Sequence, residues 1–178
     1  NYPSKPIKII VPYAPGGATD ILARLVSKRL SEDFGQPLVV ENKPGGNTGI
    51  AASNVARSAP DGYTLLFTND ATYVLNPLIF KTLNYDVKKD FLPVGTVASL
   101  SFGLAVSENT KANTLNELID LTQHNNTLSY GSYGVGSQAH LMGELYKVLT
   151  KSDLTHVPYK GSSQAVVDVI GNQILFTF

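Results

Sequence analysis

The chain has 178 residues, with 14 Lys and Arg against 14 Asp and Glu, so its formal charge is zero. That balance argues against a general nucleic-acid binder and against a polybasic membrane-surface protein, both of which need a cationic surplus. The lack of cysteine excludes a disulfide framework, a thiolate metal site and a cysteine nucleophile, and no apolar run approaches the roughly 18 residues that cross a bilayer.

Strand and helix patterns alternate from the start. Lys8-Ile9-Ile10-Val11 is a short β-branched run beside Pro12 and predicts a buried strand. Beyond Pro15-Gly16-Gly17, the apolar residues Leu22, Val26, Leu30 and Phe34 recur every four positions and predict a helix. Thr19 or Asp20 would cap it, and Gly35 would end it. A second strand is expected over 37–41, a turn over 42–47, a small-residue helix over 48–58 and a third strand over 63–68. Asn76-Pro77 and 86–90 read as surface turns, and 94–106 as extended segments.

The alternation resumes at Thr114-Leu115-Asn116-Glu117, a capping-box pattern opening a helix. A strand over 128–131 leads into a glycine-rich loop, followed by a helix carrying Leu141, Met142, Leu145, Val148 and Leu149. A strand over 155–159, a helix over 163–170 and the start of a strand at 174–178 complete the chain. Repeated strand–helix order implies an α/β fold of parallel-type sheets flanked by helices. Two blocks are expected, 1–98 and 99–178, with the chain crossing near the uncharged stretch 98–104.

In open parallel sheets, ligands sit beyond the carboxyl ends of strands. Loops 13–19, 68–72, 131–137 and 159–163 meet that description and are rich in small residues, which let a backbone approach a ligand. A nucleotide-binding, Rossmann-like enzyme using a phosphate-bearing cofactor is the alternative. Gly131, Gly134 and Gly136, however, reverse the dinucleotide spacing, and Lys160 stands where a ribose-binding acid would follow a strand. No G-x-S-x-G elbow is present, and His124, His140 and His156 lack metal-ligand spacing, so neither catalytic residues nor a metal or cofactor site is expected. His124 reads as a solvated helix end, His140 as part of a helix's first turn, and His156 as a hydrogen-bonded strand residue. Asp20 complements a helix dipole, and Lys160 faces solvent.

Tyr2-Pro3-Ser4-Lys5-Pro6-Ile7-Lys8, the segment from Val11 through Pro15-Gly16-Gly17-Ala18-Thr19-Asp20, and Ala59-Pro60-Asp61-Gly62-Tyr63-Thr64-Leu65 follow a family pattern. So do the segments from Tyr130-Gly131-Ser132 to Leu145 and from His156 to Gly161. In these five ordered motifs the chain resembles the Bug receptors, the periplasmic solute-binding components of tripartite tricarboxylate transporters. The resemblance implies a two-lobed clamp closing over a small di-, tri- or aromatic carboxylate or amino acid. It also implies delivery to membrane transporter components, without membrane insertion, and a periplasmic location after removal of a signal peptide. It places ligand contacts on Tyr13, Gly17, Ala18 and Thr19, on Thr68, Asp70 and Thr72, and on Gly134, Gly136, Ser137 and Gln138. Family members run longer, so the resemblance implies a second lobe left incomplete at Phe178.

A neutral protein can hold an anion on helix N-termini, each equivalent to about half a positive charge. Free amides are expected at Ala18, Thr19 and Asp20 and at Ser137, Gln138 and Ala139. Gly17 and Gly136 stand where a side chain would displace a ligand or forbid the turn.

Overall fold

In the computed structural model, which describes residues 2–178, the chain forms two compact units, one ending at Val94 and the other starting at Gly95. The first unit is built on a three-stranded parallel sheet. Its central strand is β1 (Ile7–Val11), flanked by β2 (Leu38–Asn42) and β3 (Thr64–Leu66). Ile9 pairs with Val40 on one side and Leu65 on the other. Ile7, Ile9, Ile10 and Val11 are all buried, as expected of a central parallel strand covered on both faces.

Helix α1 (Ala18–Phe34) connects β1 to β2 and ends at Gly35 in the left-handed conformation, while α2 (Gly49–Ala56) connects β2 to β3. Both cross over close to the sheet because Ala23, Ala51 and Ala52, which are fully buried, have almost no side chain to hold them away. After β3 the chain makes a π-helical turn, Ala71–Leu75, that runs directly into the short helix α3 (Asn76–Ile79). Here Asn76-Pro77 departs from the surface turn expected: Asn76 is completely buried, and Pro77 sits in the first turn of α3 with its ring exposed.

The second unit carries a four-stranded sheet. In sequence order its strands are β4 (Ala105–Val106), β5 (Ser129–Ser132), β6 (Thr155–Pro158) and β7 (Phe176–Thr177), arranged β4-β7-β5-β6. Strands β6, β5 and β7 are mutually parallel, but β4 runs antiparallel to β7, so the sheet is mixed rather than wholly parallel. Of the segment 94–106 expected to be extended, only Ala105–Val106 pairs as a strand. Helix α4 (Leu115–Gln123) begins with the expected capping box: Glu117 N donates to Thr114 Oγ1, and Thr114 N to the Glu117 carboxylate. Helices α5 (Gln138–Thr150) and α6 (Ser162–Ile170) follow β5 and β6. Tyr130, Phe176, Leu118, Leu154, Leu175 and Tyr146 form one buried cluster between the sheet and its helices. Among the described residues, no helix is long and apolar enough to cross a membrane.

Candidate functional site

In the first unit, the loop leaving β1 is fixed by a carboxylate one turn into α1. Asp20 is only 2% exposed. Its Oδ2 accepts the Gly16 amide at 2.9 Å and Arg24 Nε at 3.0 Å, and its Oδ1 accepts Asn42 Nδ2 at 2.8 Å. Burial pushes its pKa up, but these donors outweigh burial and hold the carboxyl below its ordinary value. Asn42, at the end of β2, also donates to the Tyr13 carbonyl at 2.9 Å. Asp20 is thus a loop anchor, and α1 is not capped by Thr19 or Asp20: the N-cap is Gly17, with no side-chain cap bond.

Of the expected contacts on this loop, Tyr13 is buried, and its phenol donates to Asn69 Oδ1 at 2.8 Å, tying the β1 loop to the β3 loop. Gly17 is buried, Thr19 half-buried and Ala18 exposed. Gly17 has φ −81° and ψ 166°, extended backbone that any residue adopts, so the turn itself does not demand glycine there. Gly16 does meet that demand, at φ 86°.

The β3 loop is a polar cluster. Thr68 Oγ1 lies 2.5 Å from Thr72 Oγ1, and Thr72 donates to Thr48 Oγ1 at 2.8 Å. Asn76 Nδ2 donates to the Asn47 carbonyl at 2.6 Å and to the Tyr85 phenol at 2.9 Å. Thr68 and Thr72 are therefore brought together, with Thr72 buried, whereas Asp70 is exposed. Asn47 and Thr48 come from the β2–α2 loop, which the sequence shows only as a Pro-Gly-Gly turn; both take left-handed φ, 43° and 73°.

In the second unit the loop leaving β5 is tied down by imidazoles. The Gly136 amide donates to His140 Nδ1 at 3.0 Å, and His140 N donates to Ser137 Oγ, the N-cap of α5, at 3.3 Å. Ser137 N donates to the Gly134 carbonyl at 3.1 Å, so its amide is not free as expected. Gln138 Oε1 accepts from the Tyr133 phenol at 3.0 Å. Gly136 has φ 81°, so here the turn does require glycine.

Behind this loop, His140, His156 and Tyr130 stack in series, with ring centroids 4.0 and 5.0 Å apart. His156 Nε2 lies 2.7 Å from Ser132 Oγ, the last residue of β5, as a hydrogen-bonded strand histidine should. Burial, with the neighbouring His140, depresses the His156 pKa to about 4. Burial and the acceptor Glu144, 2.7 Å away, push the Tyr130 phenol up. His124 ends α4 with its side chain largely in solvent. Among the described residues, no group of three or more acids and histidines could hold a metal ion. A concavity of about 500 Å³ between α2 and segment 80–85 touches none of the expected contact residues.

The model of the tripartite tricarboxylate transporter family receptor matches residues 22–177. The chain belongs to that family. Protein BugT of Bordetella pertussis is 36% identical over 98% of this chain and 54% of its own length. A solved structure described as a periplasmic transporter superposes with TM-score 0.94 at 47% identity, covering 99% of this chain and 59% of that one. Rpa4515 of R. palustris, solved with adipate, gives TM-score 0.95 at 36% identity, over 99% of this chain and 60% of that one. MatC from Rhodopseudomonas palustris, solved with bound malate, gives 0.91 at 30%, with the same coverage. The chain therefore spans about half the length of the curated relatives it matches. The family is one of solute-binding receptors, not enzymes, and the Rossmann-like alternative falls with that finding.

Proposed function

We infer that the protein is a periplasmic receptor that captures a small carboxylate and delivers it to the membrane components of a tripartite tricarboxylate transporter. Its two units act as the two lobes, with contacts from Tyr13, Gly17, Ala18, Thr19, Thr68, Asp70 and Thr72 on one and from Gly134, Gly136, Ser137 and Gln138 on the other. The observation that carries this reading is the family match over residues 22–177, supported by relatives solved with adipate and with malate. The chemistry of the loops agrees: they are nearly free of charge, and backbone amides and hydroxyls bonding a carboxylate contribute roughly 1.5–3 kcal/mol apiece.

A thermal-shift screen of the intact protein tests it, since a ligand bound only by the folded state raises the melting point. Di-, tri- and aromatic carboxylates and amino acids are expected to include a stabilising ligand, and NAD and ATP are not. Stabilisation by the nucleotides alone would overturn the reading.

A further inference from the structure

The hydroxyls of the β3 loop form a chain whose proton directions are set by their partners. A threonine hydroxyl has one proton to give. That of Thr72 goes to Thr48 Oγ1 at 2.8 Å. The Tyr85 phenol belongs to the same network, its own O–H donating to the Thr72 carbonyl at 2.8 Å. Asn76 Nδ2 reinforces this direction by donating to Thr48 Oγ1 at 3.2 Å and to the Tyr85 oxygen at 2.9 Å. With the Thr72 proton committed to Thr48, the hydrogen bond between Thr68 and Thr72, 2.5 Å long, must use the proton of Thr68.

Thr68 is half-buried, two residues beyond the end of β3, and its oxygen is left with lone pairs only. A second acceptor in the same network is short of a donor. Asn47 Oδ1 is buried with no hydrogen-bond partner among the described residues. Asn47 cannot turn over to relieve this, because its Nδ2 already donates to Asn76 Oδ1 at 2.8 Å, and the three acceptors around Asn76 Nδ2 fix the orientation of that amide. The cluster is therefore rich in acceptors. A bare carboxylate oxygen, itself an acceptor, gains nothing there, whereas a hydroxyl or ammonium group supplies the missing proton.

We propose that Thr68 Oγ1 is a specificity-determining acceptor, and that the ligand is a carboxylate bearing a hydroxyl or amino group rather than an unsubstituted dicarboxylate. This rests on the carboxylate-receptor reading above. A site built to bond such a group rejects the analogue lacking it, because its own acceptor is then left unpaired.

Calorimetry on the intact protein tests the proposal with succinate, malate, aspartate and methylsuccinate, and with glutarate, 2-hydroxyglutarate and glutamate. In at least one series the hydroxy or amino member should bind about tenfold tighter than the unsubstituted member, the energy of one hydrogen bond. Methylsuccinate, of similar bulk to malate, should show no such gain over succinate. Thr68→Val should shrink the preference towards unity, and Thr68→Ser, which keeps the acceptor, should preserve it. Equal affinities within each series, or a preference that survives Thr68→Val, would overturn the proposal while leaving carboxylate capture intact. Binding of no carboxylate at all would overturn both readings.

Discussion

The two units fasten their loops with the same geometry and different chemistry. In each, a strand ends, a glycine with φ near 80–90° turns the chain, and its amide donates to the side chain four residues on, one turn into the following helix. In the first unit that side chain is the carboxylate of Asp20; in the second it is the imidazole of His140. A carboxylate well supplied with donors accepts across the whole neutral range. An imidazole accepts through Nδ1 only while that nitrogen is unprotonated. One backbone device thus closes on a carboxylate oxygen in one loop and on a ring nitrogen in the other.

The most damaging way to break the second half of this comparison is from behind. Gly143 of α5 lies against the Tyr130 ring, and a Cβ there would overlap ring atoms Cε2 and Cζ. Gly143→Ala should destabilise the second unit by about 3 kcal/mol, as overpacking against a rigid aromatic does. Urea unfolding followed by tyrosine fluorescence would check it. A loss under about 1 kcal/mol would mean that the stack behind the loop is not rigid.

Next in size is the anchor of the first unit. Asp20→Ala strips the acceptor from the Gly16 amide and from Asn42. The expected loss is about 2 kcal/mol, for orphaned donors rather than for the ion pair, because Arg24 is half in solvent and screened. Amide hydrogen exchange should quicken at Gly16 and leave Gly136 unchanged.

Acid sharpens the contrast. His156 titrates at about 4 in the folded state against an ordinary value near 6.5, so the folded protein stays unprotonated where the unfolded chain binds a proton. Its contribution to stability is present above about pH 6.5 and declines as pH falls towards 4, where both states become protonated. The decline should amount to about 3 kcal/mol in the second unit, at about 1.36 kcal/mol for each unit of pKa. The Asp20 contribution, from a carboxyl held below its ordinary value, should persist over the same window and fail only in stronger acid. Urea midpoints at pH 7 and pH 4.5 for wild type and His156→Gln would show whether the loss belongs to His156.

The strand–loop–helix order was legible because β-branched runs, glycine-rich turns and four-residue apolar spacing are local signals. The fastening of the loops was not. Asp20 complements a helix dipole from any first-turn position, and only the fold brings Asn42, 22 residues on, to its other oxygen. Asn76-Pro77 carries the composition of an exposed turn, yet Asn76 is buried, with Asn47, Thr48 and Tyr85 converging on its amide, while Pro77 stays exposed. A two-residue strand such as β4 has no periodicity to detect, and its antiparallel pairing with β7 depends on chain that lies 70 residues away. Candidate contacts were legible as loops, while the donor and acceptor roles within them required the hydrogen-bond directions.

The smallest expected effect concerns charge. Lys160 is the one cation in the four candidate loops, which makes it the obvious counter-ion for a carboxylate. It is exposed, its backbone amide donates to Gln164 Oε1 at 3.1 Å, and among the described residues no ion pair holds its ammonium. Arg24, which pairs with the anchor of the β1 loop, is committed to Asp20 and to Asn42 Oδ1 at 2.9 Å. If amides and hydroxyls hold the ligand, Lys160→Ala should change the Kd less than about twofold and stability by less than about 0.5 kcal/mol. Gly136→Val, which forces a branched residue into left-handed backbone, should abolish binding. Calorimetry at low and high salt separates the two cases, because a solvent-exposed ion pair weakens as salt rises, whereas neutral amide donors in the loops are little screened. A large loss in Lys160→Ala with Gly136→Val still binding would mean that a salt bridge, not the loop backbone, holds the ligand.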